Sequence, residues 1–370
     1  MNDHDNGGAE RKAALLRKKI RPFKPSTIET VEDCLNSLSE CSFQGRRLGT
    51  ALKIYNEMLS RPCFKVLTLS GAMIPAGMDE IICEMIEFGM INCIVSTGAN
   101  ITHGILNAFA PHNQAHYLGS EKANDAELRN FQINRIFDTY LPESEYMRAE
   151  NELLVLLRQV FRDSKKRMTG ENGTQFFVTR PSELFKSIGM RLPGRCFVKI
   201  AALYDVPIFC GATSDSELAL DLAKYRVNNQ LNVILDEIGD VLKFSNYIRR
   251  HNCHGTIIVG GGVPRNWAQQ IFPFLDQLDL HNKQGEPLKF KGYQYSIRIH
   301  TAVAEDGGLS GCTLSESMSW GKYREGAKHV SIWGDATIAL PILISAAVQS
   351  NQLIKLTPEL VSEVNRTPSS

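Results

Sequence analysis

The stretch "INCIVSTGANITHGILNAF", residues 91–109, runs from an apolar segment through the small residues Ser96 to Ala99 into a helical pattern. The first part predicts a buried strand and the second a helix packed back on it, joined by a turn too tight for large side chains. The same strand-then-helix pattern appears in "FKVLTLSGAM" (64–73) followed by "DEIICEMIEFG" (79–89). It resumes in "DVPIFCGATS" with "ELALDLAKY", "NVILD" with "IGDVLKFSNYIRRH", "GTIIVGGGV" with "RNWAQQIFPFLDQL", and finally "YQYSIRIHTA". Such alternation predicts an α/β fold: a Rossmann-like parallel sheet flanked by helices, in one large domain.

Outside these units, "STIETVEDCLNSL" (26–38), with Ser26 or Thr27 as N-cap, and "RLGTALKIYNEML" (47–59) predict two helices before the first strand. Residues 1–25 are polar and read as a flexible, helical N-terminal arm, 26–355 as the one large domain, and 356–370 as a C-terminal tail. Residues 120–200 read as a mostly helical, charged insertion on the same sheet.

The chain has 370 residues, 41 Lys and Arg against 40 Asp and Glu, and 43% hydrophobic residues. A near-zero net charge gives no general attraction to nucleic acid or anionic lipid. The nine cysteines show no C-x-x-C or paired spacing, which fits reduced thiols and a cytoplasmic protein. The N-terminus lacks an apolar signal core, and "IALPILISAAV" is about half a membrane span and contains Pro341.

Four strand ends, "LSGAM", "STGAN", "CGATS" and "VGGGV", carry glycine or small polar residues. In an open parallel sheet these positions face ligands, and together they point to a nucleotide or another phosphate compound. None matches G-x-G-x-x-G or a Walker loop, and any one alone is equally an ordinary connection.

The stretch "SESMSWGKYREG" (315–326) sets Glu316, Trp320 and Lys322 within seven positions. A lysine forms an imine only when unprotonated, so a nucleophilic lysine needs desolvation or a neighbouring cation. The indole face supplies an apolar wall and attracts ammonium groups, and Glu316 is placed to hold one. The plainer reading is a lysine snorkelling at the surface. Asp306 in "HTAVAEDGGLSG" and Asp335 in "SIWGDATIALP" follow strands, where each is a ligand contact or a simple turn or cap. His103 follows a small-residue turn at the start of a helix. Neither "HNCH" (251–254) nor the His112/His116 pair offers the convergent donors of a metal site, so no metal is expected.

Together "VSTGANITHGILNAF", "HYLGS" with "INRIFDTYLPESEY", "VGGGVPRNW", "EDGGLSG", "SESMSWGK" and "GDATIALPILI" resemble the deoxyhypusine synthase family, in the same order from about residue 26 to 350. The likeness is to the bacterial deoxyhypusine-synthase-like branch. It implies an NAD-dependent homotetramer with active sites between subunits. NAD would take hydride from spermidine, 1,3-diaminopropane would leave, and the four-carbon fragment would pass as an imine on Lys322 to an acceptor amine. The acceptor would be putrescine, giving homospermidine, or a lysine of the hypusine-bearing translation factor. A catalytically silent NAD- or polyamine-binding paralogue is the alternative from another class.

By the same resemblance, Trp320, Glu316, Asn266 and His103 would contact substrate. Ser70, Gly71, Thr97, Gly98, Ala99, Asp215, Gly261, Thr301, Asp306, Gly307, Asp335 and Ala336 would hold NAD, with Asp221 an alternative to Asp215. Three positions depart from the eukaryotic pattern. Asn266 stands where those enzymes have a histidine base, Leu309 where they have a polyamine-binding acid, and His103 where they have a glutamate.

Overall fold

The computed structural model describes residues 4–162, 164–282 and 292–360. Helix α1 (His4–Leu15) is followed by an exposed segment tied to the domain where the Arg21 N–H donates to the Glu40 carbonyl and Lys18 pairs with Glu40 at 2.9 Å. The last ten residues of the expected C-terminal tail, 361–370, lie outside the described residues. Helix α2 (Val31–Leu38) is capped by Thr30, not by Ser26 or Thr27. Thr30 and Asp33 form a reciprocal capping box, whereas Ser26 and Thr27 sit in a separate helical turn opened by Pro25. Helix α3 (Phe43–Leu59) completes the expected pair.

The βα units then follow: β1 (Phe64–Leu69), α4 (Asp79–Glu87), β2 (Cys93–Ser96) and α5 (Gly98–Phe109). The middle segment carries the expected helices and, beyond them, short strands that lie outside the central sheet. It holds β3 (Tyr117–Leu118), α6 (Asp125–Asn130), β4 (Ile133–Ile136), β5 (Thr139–Pro142), α7 (Glu143–Arg162), β6 (Arg167–Thr169), β7 (Gln175–Thr179), α8 (Pro181–Gly189) and α9 (Phe197–Leu203). Its strands form two separate three-stranded sheets, β3-β5-β4 and β6-β7-β9, where β9 (Val233–Leu235) is the "NVILD" run. That run therefore pairs with β7 and not with the central sheet. These strands are two to five residues long and mostly exposed or half-buried, too short to carry a clear alternation.

The chain returns to the main sheet with β8 (Ile208–Cys210), and α10 (Glu217–Val227) and α11 (Glu237–Arg249) flank β9 in sequence. The remaining elements are β10 (His254–Val259), α12 (Gly262–Gln269), α13 (Ile271–Asn282), β11 (Tyr293–His300), α14 (Leu314–Ser319), β12 (Tyr323–Trp333) and α15 (Ala336–Ser350).

The central sheet has six strands, all paired in parallel, in the order β12-β11-β10-β1-β2-β8. Helices cover both faces, so β1 and β10 are buried throughout, including their polar residues Lys65, Thr68, His254 and Thr256. Leu67, Leu69, Ile257 and Val259 face a core closed by α2, α3, α4, α9 and α15. Phe64, Val66, Val95 and Phe209 face a second core closed by α11, α12 and α13. The chain builds outward from β1 in one direction through β2 and β8, then in the other through β10, β11 and β12. The reversal between β1 and β10 opens a crevice at the carboxyl ends of the strands, where ligands bind in such sheets.

Candidate active site

Helix α14 is capped by Thr313 and ends at Trp320, and Gly321, at φ 72°, turns the chain sharply so that Lys322 leads into β12. The resulting cavity, about 640 Å3, is lined by Lys322, Trp320, Glu316, Asn266, Gly307 and Leu309 among others. The Lys322 Nζ donates to Asn266 Oδ1 at 2.9 Å and sits 5.9 Å from the centre of the Trp320 ring. Burial holds the Lys322 amine below its ordinary value. The Arg265 guanidinium adds to this, and the Cys312 thiol and Glu316 oppose it. The arrangement therefore presents a half-buried amine with an enlarged neutral fraction, beside an aromatic wall that is 67% exposed.

Lys322, Trp320, Glu316, Asn266 and Gly307 are thus brought together. So is Leu309, which places an apolar side chain in the cavity wall. Unforeseen in the sequence are Gln270, Phe274 and Gln277, which line the same wall as Asn266. Their spacing from Asn266, four then four then three, is a helical face that in the sequence is indistinguishable from the face of an ordinary packing helix.

A second, smaller cavity, about 150 Å3, lies at the β1/β10 switch point. Ser70, Thr97, Gly98, Asp215 and Gly261 line it; Gly71 and Ala99 are their chain neighbours. Thr97 caps α5 by accepting from the Asn100 N–H, leaving the start of that helix at the cavity. A Cβ on Gly98 would stand 2.5 Å from that of Ser216, so only glycine lets α10 approach. Gly260 and Gly262, at φ 76° and 59°, make the turn out of β10. Asp215, not Asp221, is the acid at this cavity; Asp221 pairs with Lys224 at 3.1 Å on α10.

The other expected positions lie apart from it. Thr301 follows β11, Asp306 folds back to accept from the Gly308 N–H at 2.7 Å, and Asp335 caps α15 with Ala336 beside it. His103 lines neither cavity. It is buried in the second turn of α5, its Nδ1 2.9 Å from His116 Nε2, and burial pulls its pKa down to about 3. His116 in turn meets Asn107 Oδ1 at 3.1 Å. His251 and His254 bond to the backbone carbonyls of Tyr247 and Ile248, and no metal-holding group of His, Cys, Asp and Glu occurs among the described residues.

Residues 33–347 match the deoxyhypusine synthase family. Among similar curated proteins, probable deoxyhypusine synthase 1 of Archaeoglobus fulgidus is 35% identical over 314 residues, spanning 85% of this chain and 92% of the relative. A deoxyhypusine synthase-like protein of Chlorobaculum parvum is 30% identical, spanning 91% of each chain. The crystal structure of a candidate deoxyhypusine synthase from Entamoeba histolytica shares the fold, with a TM-score of 0.59 at 16% identity over 91% of this chain and 99% of that one.

Proposed function

The chain belongs to the deoxyhypusine synthase family, and on that premise we propose that it is an NAD-dependent aminobutyltransferase that takes a four-carbon amine unit from spermidine onto Lys322 and passes it to putrescine. The observation that carries this reading is the cavity in which a pKa-lowered lysine faces an exposed indole and a carboxylate. A polyamine combines methylene segments with ammonium groups, and Trp320, Phe274 and Leu309 suit the former as Glu316 suits the latter.

The residues at the switch-point cavity fit a dinucleotide in kind. Small residues admit close approach, the start of α5 favours an anion, and the Asp215 carboxylate suits a ribose hydroxyl. When bound, NAD supplies the hydride acceptor for oxidising the donor and returns the hydride to the product. The neutral Lys322 amine attacks the oxidised carbon and expels 1,3-diaminopropane, and the acceptor amine then displaces Lys322. Asn266 holds the Lys322 amine by a hydrogen bond but cannot take its proton, so proton removal falls to water or to the amine substrates themselves.

Within one chain the Lys322 cavity is separate from both the switch-point cavity and His103. This division supports a site completed by a second copy, as in a homotetramer with active sites between subunits. The unpaired state of all nine cysteines supports a reducing, cytoplasmic setting. No helix among the described residues is long and apolar enough to cross a membrane.

Incubation with NAD and labelled spermidine, with and without putrescine, followed by mass spectrometry, tests the reading. Homospermidine and 1,3-diaminopropane are expected. Diaminopropane without homospermidine would move the acceptor to a protein lysine, and no diaminopropane would overturn the transferase assignment.

A further inference from the structure

At the carboxyl ends of β10, β11 and β12 lies a third cavity, about 320 Å3, lined by Arg47, Arg265, Arg298, His300, Thr313 and Ser331 among others. Arg265 and Arg298 are each only 3% exposed. Arg298 donates to the carbonyls of Gly260 at 3.2 Å, Cys312 at 2.9 Å and Ser310. Arg265 donates to Ser317 Oγ at 3.1 Å and to the Leu309 carbonyl at 3.5 Å, while its buried Nε has no hydrogen-bond partner. These acceptors orient the guanidinium groups but neutralise neither.

Among the described residues no carboxylate pairs with either arginine. Two adjacent buried cations without a counter-charge are costly, and the cost falls sharply once an anion joins them. The effect is visible in Arg298, which burial and, next, the charge of Arg265 pull down to about 10. At the exposed side, Arg47 donates to the Ser331 carbonyl at 2.8 Å, and Ser331 Oγ meets His300 Nε2 at 2.7 Å, adding a third cation and a hydroxyl.

We propose that this cavity is an anion site that takes a phosphate group. Planar guanidinium forks match phosphate oxygens in pairs, and a doubly charged oxyanion answers several cations at once, which a halide cannot do. The volume admits a phosphate with part of the molecule that bears it. The cavity shares Ala304 with the Lys322 cavity, and Arg265 directly precedes Asn266, so the bound anion sits beside the lysine site without filling it.

The test is calorimetric titration of inorganic phosphate and of pyrophosphate into the full chain in phosphate-free chloride buffer. Saturable binding is expected. Arg265→Gln and Arg298→Gln should each weaken it about tenfold or more, as loss of a charged hydrogen-bond donor does. Arg47→Ala, at the exposed mouth and safe for folding, should weaken it severalfold. If NAD displaces phosphate and itself binds more weakly to the same variants, the phosphate is a dinucleotide's. If NAD and phosphate bind independently, the ligand is a separate phosphate. Absence of saturable binding by the unaltered chain, or equal binding by Arg47→Ala and by every buried variant that folds, overturns the proposal. Binding is read without turnover, so this result and the fate of the transferase reading are independent.

Discussion

The Nζ of Lys322 donates to Oδ1 of Asn266 at 2.9 Å, although 56 residues separate them in the chain. Asn266 in turn donates from Nδ2 to Gln270 Oε1 at 3.2 Å, one helical turn further on, which directs its carbonyl oxygen toward the lysine. An amide in this position orients an amine and leaves its proton affinity nearly free, whereas a carboxylate would raise it.

If Lys322 is the nucleophile, Lys322→Ala should abolish the covalent label that borohydride traps from spermidine in the presence of NAD. NAD binding, read by calorimetry, should persist. Full labelling of the variant would remove Lys322 from the mechanism.

The pH dependence follows from the same contact. Imine formation needs neutral amine, so the rate rises with pH through the Lys322 pKa, which burial holds below the usual lysine value. Asn266→Asp would set a carboxylate against the ammonium and favour the charged form. The rising limb of kcat should then move to higher pH by about 1–3. An unmoved limb would mean that another group titrates there.

Trp320 and Glu316 should act on substrate affinity more than on kcat. Trp320→Ala should raise KM for spermidine about 2- to 30-fold, the range of a cation–π contact. Glu316 is exposed in a single chain, so Glu316→Gln should raise it only about two- to fivefold. A much larger effect of Glu316→Gln would indicate that a neighbouring chain covers the carboxylate.

Leu309 is 45% exposed in the cavity wall, so Leu309→Asp should fold normally. The added carboxylate should lower KM for spermidine severalfold, by about one surface ion pair. Steady-state kinetics with spermidine and putrescine would show whether this position sets donor choice.

Stability depends on a different long-range contact. Asp240, 1% exposed, accepts from the Ser182 N–H at 2.8 Å and from its hydroxyl at 2.6 Å, satisfying the start of α8. Asp240→Ala leaves those donors buried and unpaired and should cost about 1–3 kcal/mol in urea unfolding. A loss below that range would mean that water reaches the start of α8.

Much of this protein was legible from local pattern. The alternation that begins in β1 and runs to β11 specified the parallel sheet, because fully buried strands and their covering helices have different apolar periods. The cluster of Glu316, Trp320 and Lys322 was equally plain, since one short helix and a glycine turn carry all three. The stretch 120–200 carries the helices its pattern predicts, but its strands are too short for a period to show, and "NVILD" carries nothing that tells the central sheet from a side sheet.

Other relationships were decided only by tertiary structure. Asn266 meets Lys322 because the β10 and β12 units are two strands apart in the sheet, with β11 between them. The four small-residue strand ends meet around one cavity at the switch point because strand order, not sequence order, sets which ends are neighbours. Arg265 and Arg298 look like ordinary surface arginines in the sequence, and only the folding of the 304–313 loop over both buries them without a counter-charge. Periodicity records which face of an element is buried, but what meets that face across a crossover is recorded only in the packing.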